Sequence, residues 1–108
     1  MEAQIKKGIL EMCVLHLISQ NELYCYDVMK HMRKYFPEVN ESTFYSILRR
    51  LHGDGNADVR MQSGDGGPVR KYYRITENGK LILEESLETW RRIRGVVEEL
   101  TQSGETTL

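Results

Sequence analysis

Apolar residues recur at helical spacing in four stretches of the chain, and each stretch predicts an α-helix. The predicted helices cover residues 3–20, 26–36 and 41–51, and a fourth starts at residue 76 and ends in a frayed tail over residues 103–108. Pro37 ends the second helix, because proline lacks the backbone N–H that a helix interior uses. Asn40 is a residue suited to cap the third helix.

Between the third and fourth helices the pattern changes to the alternation of a β-strand. Residues 57–62 alternate weakly and residues 69–75 clearly, which places Tyr72 and Tyr73 on opposite faces of a strand. The segment 63–68 between them is rich in glycine and predicts a mobile hairpin tip.

This order of elements predicts a fold that is mainly α with a β-hairpin. Residues 1–75 form a winged helix-turn-helix, the expected DNA-binding domain, and residues 76–108 form a long C-terminal dimerisation helix. The wide major groove of DNA admits an α-helix, and a basic hairpin beside it can reach flanking phosphates.

The third helix has an apolar and a polar face. Its apolar residues repeat at i, i+3, i+4 and i+7 and point inward: Phe44, Ile47, Leu48 and Leu51. The polar face and the predicted hairpin, here called the wing, supply the candidate contacts to double-stranded DNA: Ser42, Thr43, Tyr45, Ser46, Arg49, Arg70 and Lys71. Arg49 suits a phosphate better than a base edge, and Arg70 and Lys71 suit a phosphate or the minor groove.

Other interpretations of these side chains stay open at this point. Tyr45 could fill a gap beside the first helix, and the hydroxyl residues of the third helix could simply be solvated. Arg50 could pair with a surface carboxylate. Lys6 and Lys7 could reach a phosphate or form an ordinary solvated end of the first helix.

The net charge of −1 is unevenly distributed along the chain. Residues 1–75 hold 11 Lys or Arg and 9 Asp or Glu, a net charge of +2, whereas residues 76–108 carry −3. Binding to DNA would therefore depend on local clusters of cations and would weaken steeply with salt.

An apolar stripe runs along the fourth helix and predicts a homodimer. It consists of Leu83, Leu87, Trp90, Ile93, Val97 and Leu100. A helix of this length exceeds what one small core covers, and the commonest partner is the same helix of a second copy. Trp90 could fill that interface or stack a small planar aromatic effector.

Several classes of function find no support in the sequence. It contains no nucleophile elbow, phosphate loop or zinc-protease motif, so no enzyme activity and no cofactor are expected. Cys13 and Cys25 lack metal-ligand spacing and suit buried, reduced thiols, so no metal site is expected. No apolar run approaches the roughly 20 residues that cross a bilayer, which predicts a cytoplasmic protein without a membrane segment.

Three segments resemble the PadR family of bacterial transcriptional regulators. They are residues 24–27 (Tyr-Cys-Tyr-Asp), the third helix with its Leu-Arg-Arg-Leu end at 48–51, and residues 70–76 (Arg-Lys-Tyr-Tyr-Arg-Ile-Thr) followed by Gly79. The resemblance covers nearly the whole chain and is closest to the small branch, which has a single dimerising helix.

The resemblance implies a homodimeric repressor that binds an inverted repeat, released in some members by phenolic compounds or planar cationic drugs. This chain departs from the family at Cys25, where glycine is usual, and at Asn56 and Ala57, where aliphatic residues are usual. The second departure implies weaker packing at the base of the wing. A winged-helix module that binds an acidic protein instead of DNA is the alternative function.

Overall fold

The structure, a computed structural model, describes residues 3–63 and 66–102, with residues 3–5 described by their backbone alone. The described ranges contain these elements: α1 (Ala3–Gln20), β1 (Leu23–Tyr24), α2 (Cys25–Tyr35), α3 (Glu41–Gly53), β2 (Ala57–Ser63), β3 (Val69–Ile75) and α4 (Glu77–Gln102). The predicted fold class, mainly α with a β-hairpin, is confirmed. Part of the predicted hairpin tip and all of the predicted frayed tail lie outside the described residues.

The strands form an antiparallel sheet in the order β1-β3-β2. β2 and β3 make the wing, with Val59 opposite Tyr73 and Arg60 opposite Tyr72. β1 was not predicted from the sequence, and it pairs Tyr24 with Tyr72 on the other side of β3. Tyr73 is buried and Tyr72 half-exposed, as the alternation of this strand predicts.

One hydrophobic core lies between the helices and the inner face of the sheet. Its fully buried members come from α1, α2 and α3: Val14, Leu15, Ile18, Val28, Phe44 and Leu48. Ala57 and Tyr73 close the core from the wing. Cys13 and Cys25 are half-buried free thiols, and burial raises the pKa of the Cys13 thiol. α3 is thus fixed on the domain by its whole apolar face.

The base of the wing is held by hydrogen bonds. Gly55, with φ of 79°, turns the chain out of α3, and its carbonyl accepts a 2.7 Å hydrogen bond from the Thr76 hydroxyl. That hydroxyl also caps α4 by accepting from the backbone N–H of Gly79 at 3.0 Å. Asn78 donates from its side chain to the Asn56 side chain at 2.6 Å. Polar contacts therefore join the wing to α4 where the family resemblance implied weaker packing.

α4 begins on the core and ends away from it. Leu83 is 8% exposed and packs in the core of its own domain, which corrects its place in the predicted dimerisation stripe. Leu87 packs partly against the same core, and every residue from 88 to 102 is exposed. None of the described helices has the length and apolar character needed to cross a membrane.

Candidate nucleic-acid interface

The outer face of α3 gathers the predicted contact residues on one surface. Ser42, Ser46 and Arg49 are exposed, and Thr43 and Tyr45 are half-buried at the edge of the helix. The Arg49 guanidinium donates to the Ser46 hydroxyl at 3.2 Å, so these two side chains lie together on the exposed face. Hydroxyl and guanidinium groups in this arrangement can donate to phosphate oxygens or base edges.

The turn between α2 and α3 sets the start of this helix. The backbone N–H of Val39 donates to the Phe36 carbonyl at 3.1 Å, and Val39 is buried. Asn40 is extended and occupies the predicted cap position, but its backbone carbonyl, not its side chain, accepts from Thr43 N–H at 3.0 Å. The Asn40 side chain is therefore not used as a cap.

Tyr45 lies beside two tyrosines of the preceding elements. Desolvation raises the pKa of the Tyr45 phenol, and the neighbouring groups Cys25, Glu41, Tyr24 and Tyr26 raise it further. The phenol can act as a hydrogen-bond donor toward an external acceptor. Its half-buried ring leaves both earlier interpretations in place, since one part packs on the domain and another is accessible.

Several cations near α3 are already paired. Arg50 forms an ion pair with Glu11 of α1, as one interpretation of the sequence expected, and Lys6 pairs with Glu38 at 3.1 Å. Arg33 contacts Glu41, the first residue of α3, at 3.2 Å. The positive charge of this side of the molecule is thus partly neutralised, whereas Arg49 has no carboxylate partner within the described residues.

The two predicted wing cations lie on opposite faces of β3. Lys71 is exposed on the inner face and forms no ion pair within the described chain. Arg70 lies on the outer face with its guanidinium carbon 4.9 Å from the centroid of the Tyr24 ring. The sequence did not predict the contact between Arg70 and Tyr24, because Tyr24 belongs to β1, a strand that the sequence did not predict. The alternation of aromatic residues at 24 and 26 was the signal available in the sequence.

The other outward arginines of the wing have carboxylate partners. Arg60 pairs with Glu22 and lies 5.5 Å from the Tyr72 ring centroid. Arg74 contacts Asp58 at 3.6 Å. Lys71 and Arg70 are therefore the wing cations whose charge is available to an external anion.

A groove of about 590 Å³ runs between α1 and the exposed part of α4. Its walls include Met12 from α1 and Ser86, Trp90 and Ile93 from α4. Trp90 is 38% exposed there. Within the described residues, no group of three or more side chains is placed to hold a metal ion. The groove is mostly apolar and suits an apolar side chain or a small aromatic molecule.

The geometry agrees with comparisons to known proteins. A PadR-like transcriptional regulator from Bacillus cereus strain ATCC 14579 is 36% identical, with a TM-score of 0.83 over 95% of this chain and 100% of that one. A Streptococcus transcriptional regulator is 29% identical, with a TM-score of 0.83 over 93% of this chain and 99% of that one. An uncharacterised protein of Lysinibacillus sphaericus is 26% identical over 89% of this chain and 91% of its own length.

The model of the "Transcriptional regulator PadR-like family" matches residues 14–85. This range runs from the core helix α1 through α3 and the wing to the part of α4 that packs on the core. Taken with the winged-helix architecture, the match shows that the protein belongs to the PadR-like family of transcriptional regulators.

Proposed function

We propose that this protein is a homodimeric repressor that binds an inverted repeat in duplex DNA and is released by a small aromatic ligand. The observation that carries the proposal is the outer face of α3. That face presents hydroxyl groups and Arg49 to solvent, while the opposite face is buried in the core. A helix anchored in this way can enter the major groove without rearrangement. The proposed site of action is the cytoplasm.

The exposed end of α4 supports the dimer. Beyond Leu87 its apolar side chains stand in solvent: Trp90 is 38% exposed, Ile93 43%, Val97 51% and Leu100 62%. A contiguous apolar surface of this kind marks an interface, and a two-fold axis would let the same surface meet itself. Two copies of α3 would then read half-sites about one helical turn, or ~34 Å, apart.

In this arrangement the protein would repress transcription simply by occupying its operator. A dimer that covers both half-sites excludes other proteins from the same DNA and needs no further contact surface. Its occupancy would depend on the spacing of the two α3 helices, which α4 sets. A ligand that binds better to an unsuitable spacing would lower DNA affinity by population shift.

The groove between α1 and α4 supports an aromatic effector. Trp90 on its wall offers an indole face on which a planar cation can stack. Calorimetric titration of the full-length protein with a planar aromatic cation is expected to show saturable binding, and the same compound should weaken the DNA complex. A protein that binds its operator but gives no heat with such compounds would contradict the effector while leaving DNA binding intact.

Two variants test the DNA interface after bound duplexes have been selected from a random pool. Alanine at both Arg70 and Lys71 is expected to weaken binding of selected and random duplexes alike, and to make the log–log salt slope shallower by about one unit per lost phosphate contact.

Tyr45→Ala is expected to weaken binding of the selected duplex by about 1–3 kcal/mol and binding of random duplex much less. Fluorescence anisotropy across a salt series measures both effects.

A different result would contradict the prediction for each of the two variants. An unchanged slope in the double variant would remove the wing cations from the DNA interface. A collapse of thermal stability in Tyr45→Ala would make Tyr45 a packing residue. If the wild-type protein selects no duplex and binds tightly to an acidic protein, the alternative function as a protein-interaction module replaces the proposal.

A further inference from the structure

Four side chains form a continuous surface between α2 and the wing, here called the cation–tyrosine strip: Lys30, Tyr26, Tyr24 and Arg70. The Lys30 ammonium lies 5.8 Å from the Tyr26 ring centroid, and the rings of Tyr26 and Tyr24 are 6.2 Å apart. Arg70 covers the other end, 4.9 Å from the Tyr24 centroid. Each cation of the strip is thus held against a tyrosine ring.

The strip connects the two surfaces already assigned to DNA. Tyr24 is paired with Tyr72 in the sheet, and its ring lies 5.9 Å from the ring of Tyr72. Since Arg70 precedes Tyr72 by two residues, it lies on the same face of β3 and reaches Tyr24 diagonally. At the other side, Tyr24 and Tyr26 are near enough to Tyr45 of α3 to raise the pKa of its phenol. α2, on which Tyr26 and Lys30 stand, packs against both α3 and β3, so the strip lies between the proposed recognition helix and the wing.

The chemistry of the strip suits a chain of phosphates. Stacking on a ring leaves the N–H groups of a lysine or arginine free to donate outward. Lys30 stacks on Tyr26 and forms no ion pair within the described residues, although Asp27 precedes it by three positions in α2. Tyr26 is 46% exposed, which leaves its phenol accessible as a hydrogen-bond donor.

We propose that the cation–tyrosine strip binds the sugar–phosphate backbone between the groove entered by α3 and the groove reached by the wing. Tyr26 and Lys30 donate directly to phosphate oxygens, and Tyr24 holds Arg70 in position to do the same. Phosphate contacts of this kind fix the orientation of a protein on the duplex without reading its sequence. The inference rests on the proposed DNA-binding function.

α2 itself offers a matched control for both contacts. One turn after Lys30, the Lys34 ammonium lies 5.9 Å from the ring centroid of Tyr35, which is 70% exposed. This second pair has the same chemistry, the same helix and a similar distance, and it lies one helical turn further from Tyr24 and the wing. Loss of net charge or of an exposed phenol is therefore equal in the two pairs.

The experiment compares four single variants of the full-length protein in anisotropy titrations over a salt series. Lys30→Ala is expected to weaken binding and make the slope shallower by about one unit, whereas Lys34→Ala should leave the slope close to wild type. Tyr26→Phe should weaken binding by roughly threefold to tenfold at every salt concentration with an unchanged slope. Tyr35→Phe should bind as wild type does.

The outcomes separate this inference from the function on which it rests. If the wild-type protein binds a selected duplex and the Lys30 and Tyr26 variants match their controls, the strip lies off the DNA and only this inference is overturned. If the wild-type protein binds no duplex, both proposals are overturned together. Because the substituted side chains are exposed, a thermal unfolding curve for each variant confirms that folding is unchanged.

Discussion

Removal of residues 91–108 is expected to convert the proposed dimer into a monomer whose operator affinity falls by roughly 100-fold to 10,000-fold. The truncation deletes the part of α4 that contains the exposed Ile93, Val97 and Leu100, and leaves the buried Leu83 in place. Without the shared interface, the two recognition helices would bind their half-sites independently and lose the gain in effective concentration. Sedimentation equilibrium measures the oligomeric state, and fluorescence anisotropy with a complete and a half operator measures the loss of affinity.

A pair of point variants repeats this test without shortening the chain. Ile93→Asp places a charge in the exposed stripe, where Ile93 is 43% exposed, whereas Leu81→Asp places the same charge at a position that is 64% exposed. Because an α-helix has about 3.6 residues per turn, Leu81 lies on the side of α4 away from Trp90. The first variant should be monomeric and the second dimeric. A truncated protein that remains a dimer and binds its operator normally would contradict the assembly.

Much of the fold could be predicted because most elements are encoded locally. The apolar repeat over residues 3–20 and the alternation over residues 69–75 have the bounds that the structure gives to α1 and β3. β1 is different: Leu23 and Tyr24 are too few to show a period, and they form a strand only because β3 passes beside them. Pairing between distant segments is set by tertiary structure, which a local pattern does not contain.

Periodicity also leaves open which surface covers an apolar residue. Leu83 and Trp90 belong to the same helical stripe, yet Leu83 is covered by its own core and Trp90 is not. The distinction depends on where α4 leaves the domain, and that point is fixed by its packing against α1 and β3. The sequence therefore predicted the stripe, but not the residue at which it becomes a surface.

The partners of the surface cations could not be predicted from the sequence either. Arg50 meets Glu11 and Arg70 meets Tyr24 only after α1, α3 and the sheet have packed. The amphipathic pattern of α3 predicted which side chains face outward. It could not show which of the charges remain available for an anion, and this property decides where a phosphate can bind.

The start of α4 contains a close contact with a sharp energetic consequence. Gly79 is buried in the first turn of the helix, beneath the corner where α3 meets β2. A Cβ atom at this position would overlap the carbonyl oxygen of Asn56 and lie 2.7 Å from Cγ1 of Ile75. The same carbonyl accepts the Thr76 N–H at 3.1 Å, so moving it away would disturb the junction between wing and helix.

Gly79→Ala is therefore expected to destabilise the protein by about 1–3 kcal/mol, although glycine to alanine within a helix ordinarily stabilises by up to about 1 kcal/mol. Gly95 is the matched control, because it lies in the same helix with no atom within 4 Å of an added Cβ. Gly95→Ala should raise stability or leave it unchanged. Urea unfolding at one fixed protein concentration compares the two, since the proposed dimer would make stability concentration-dependent. Equal stability of the two variants would mean that the Asn56 carbonyl yields easily, and that the junction does not hold α4 rigidly against the wing.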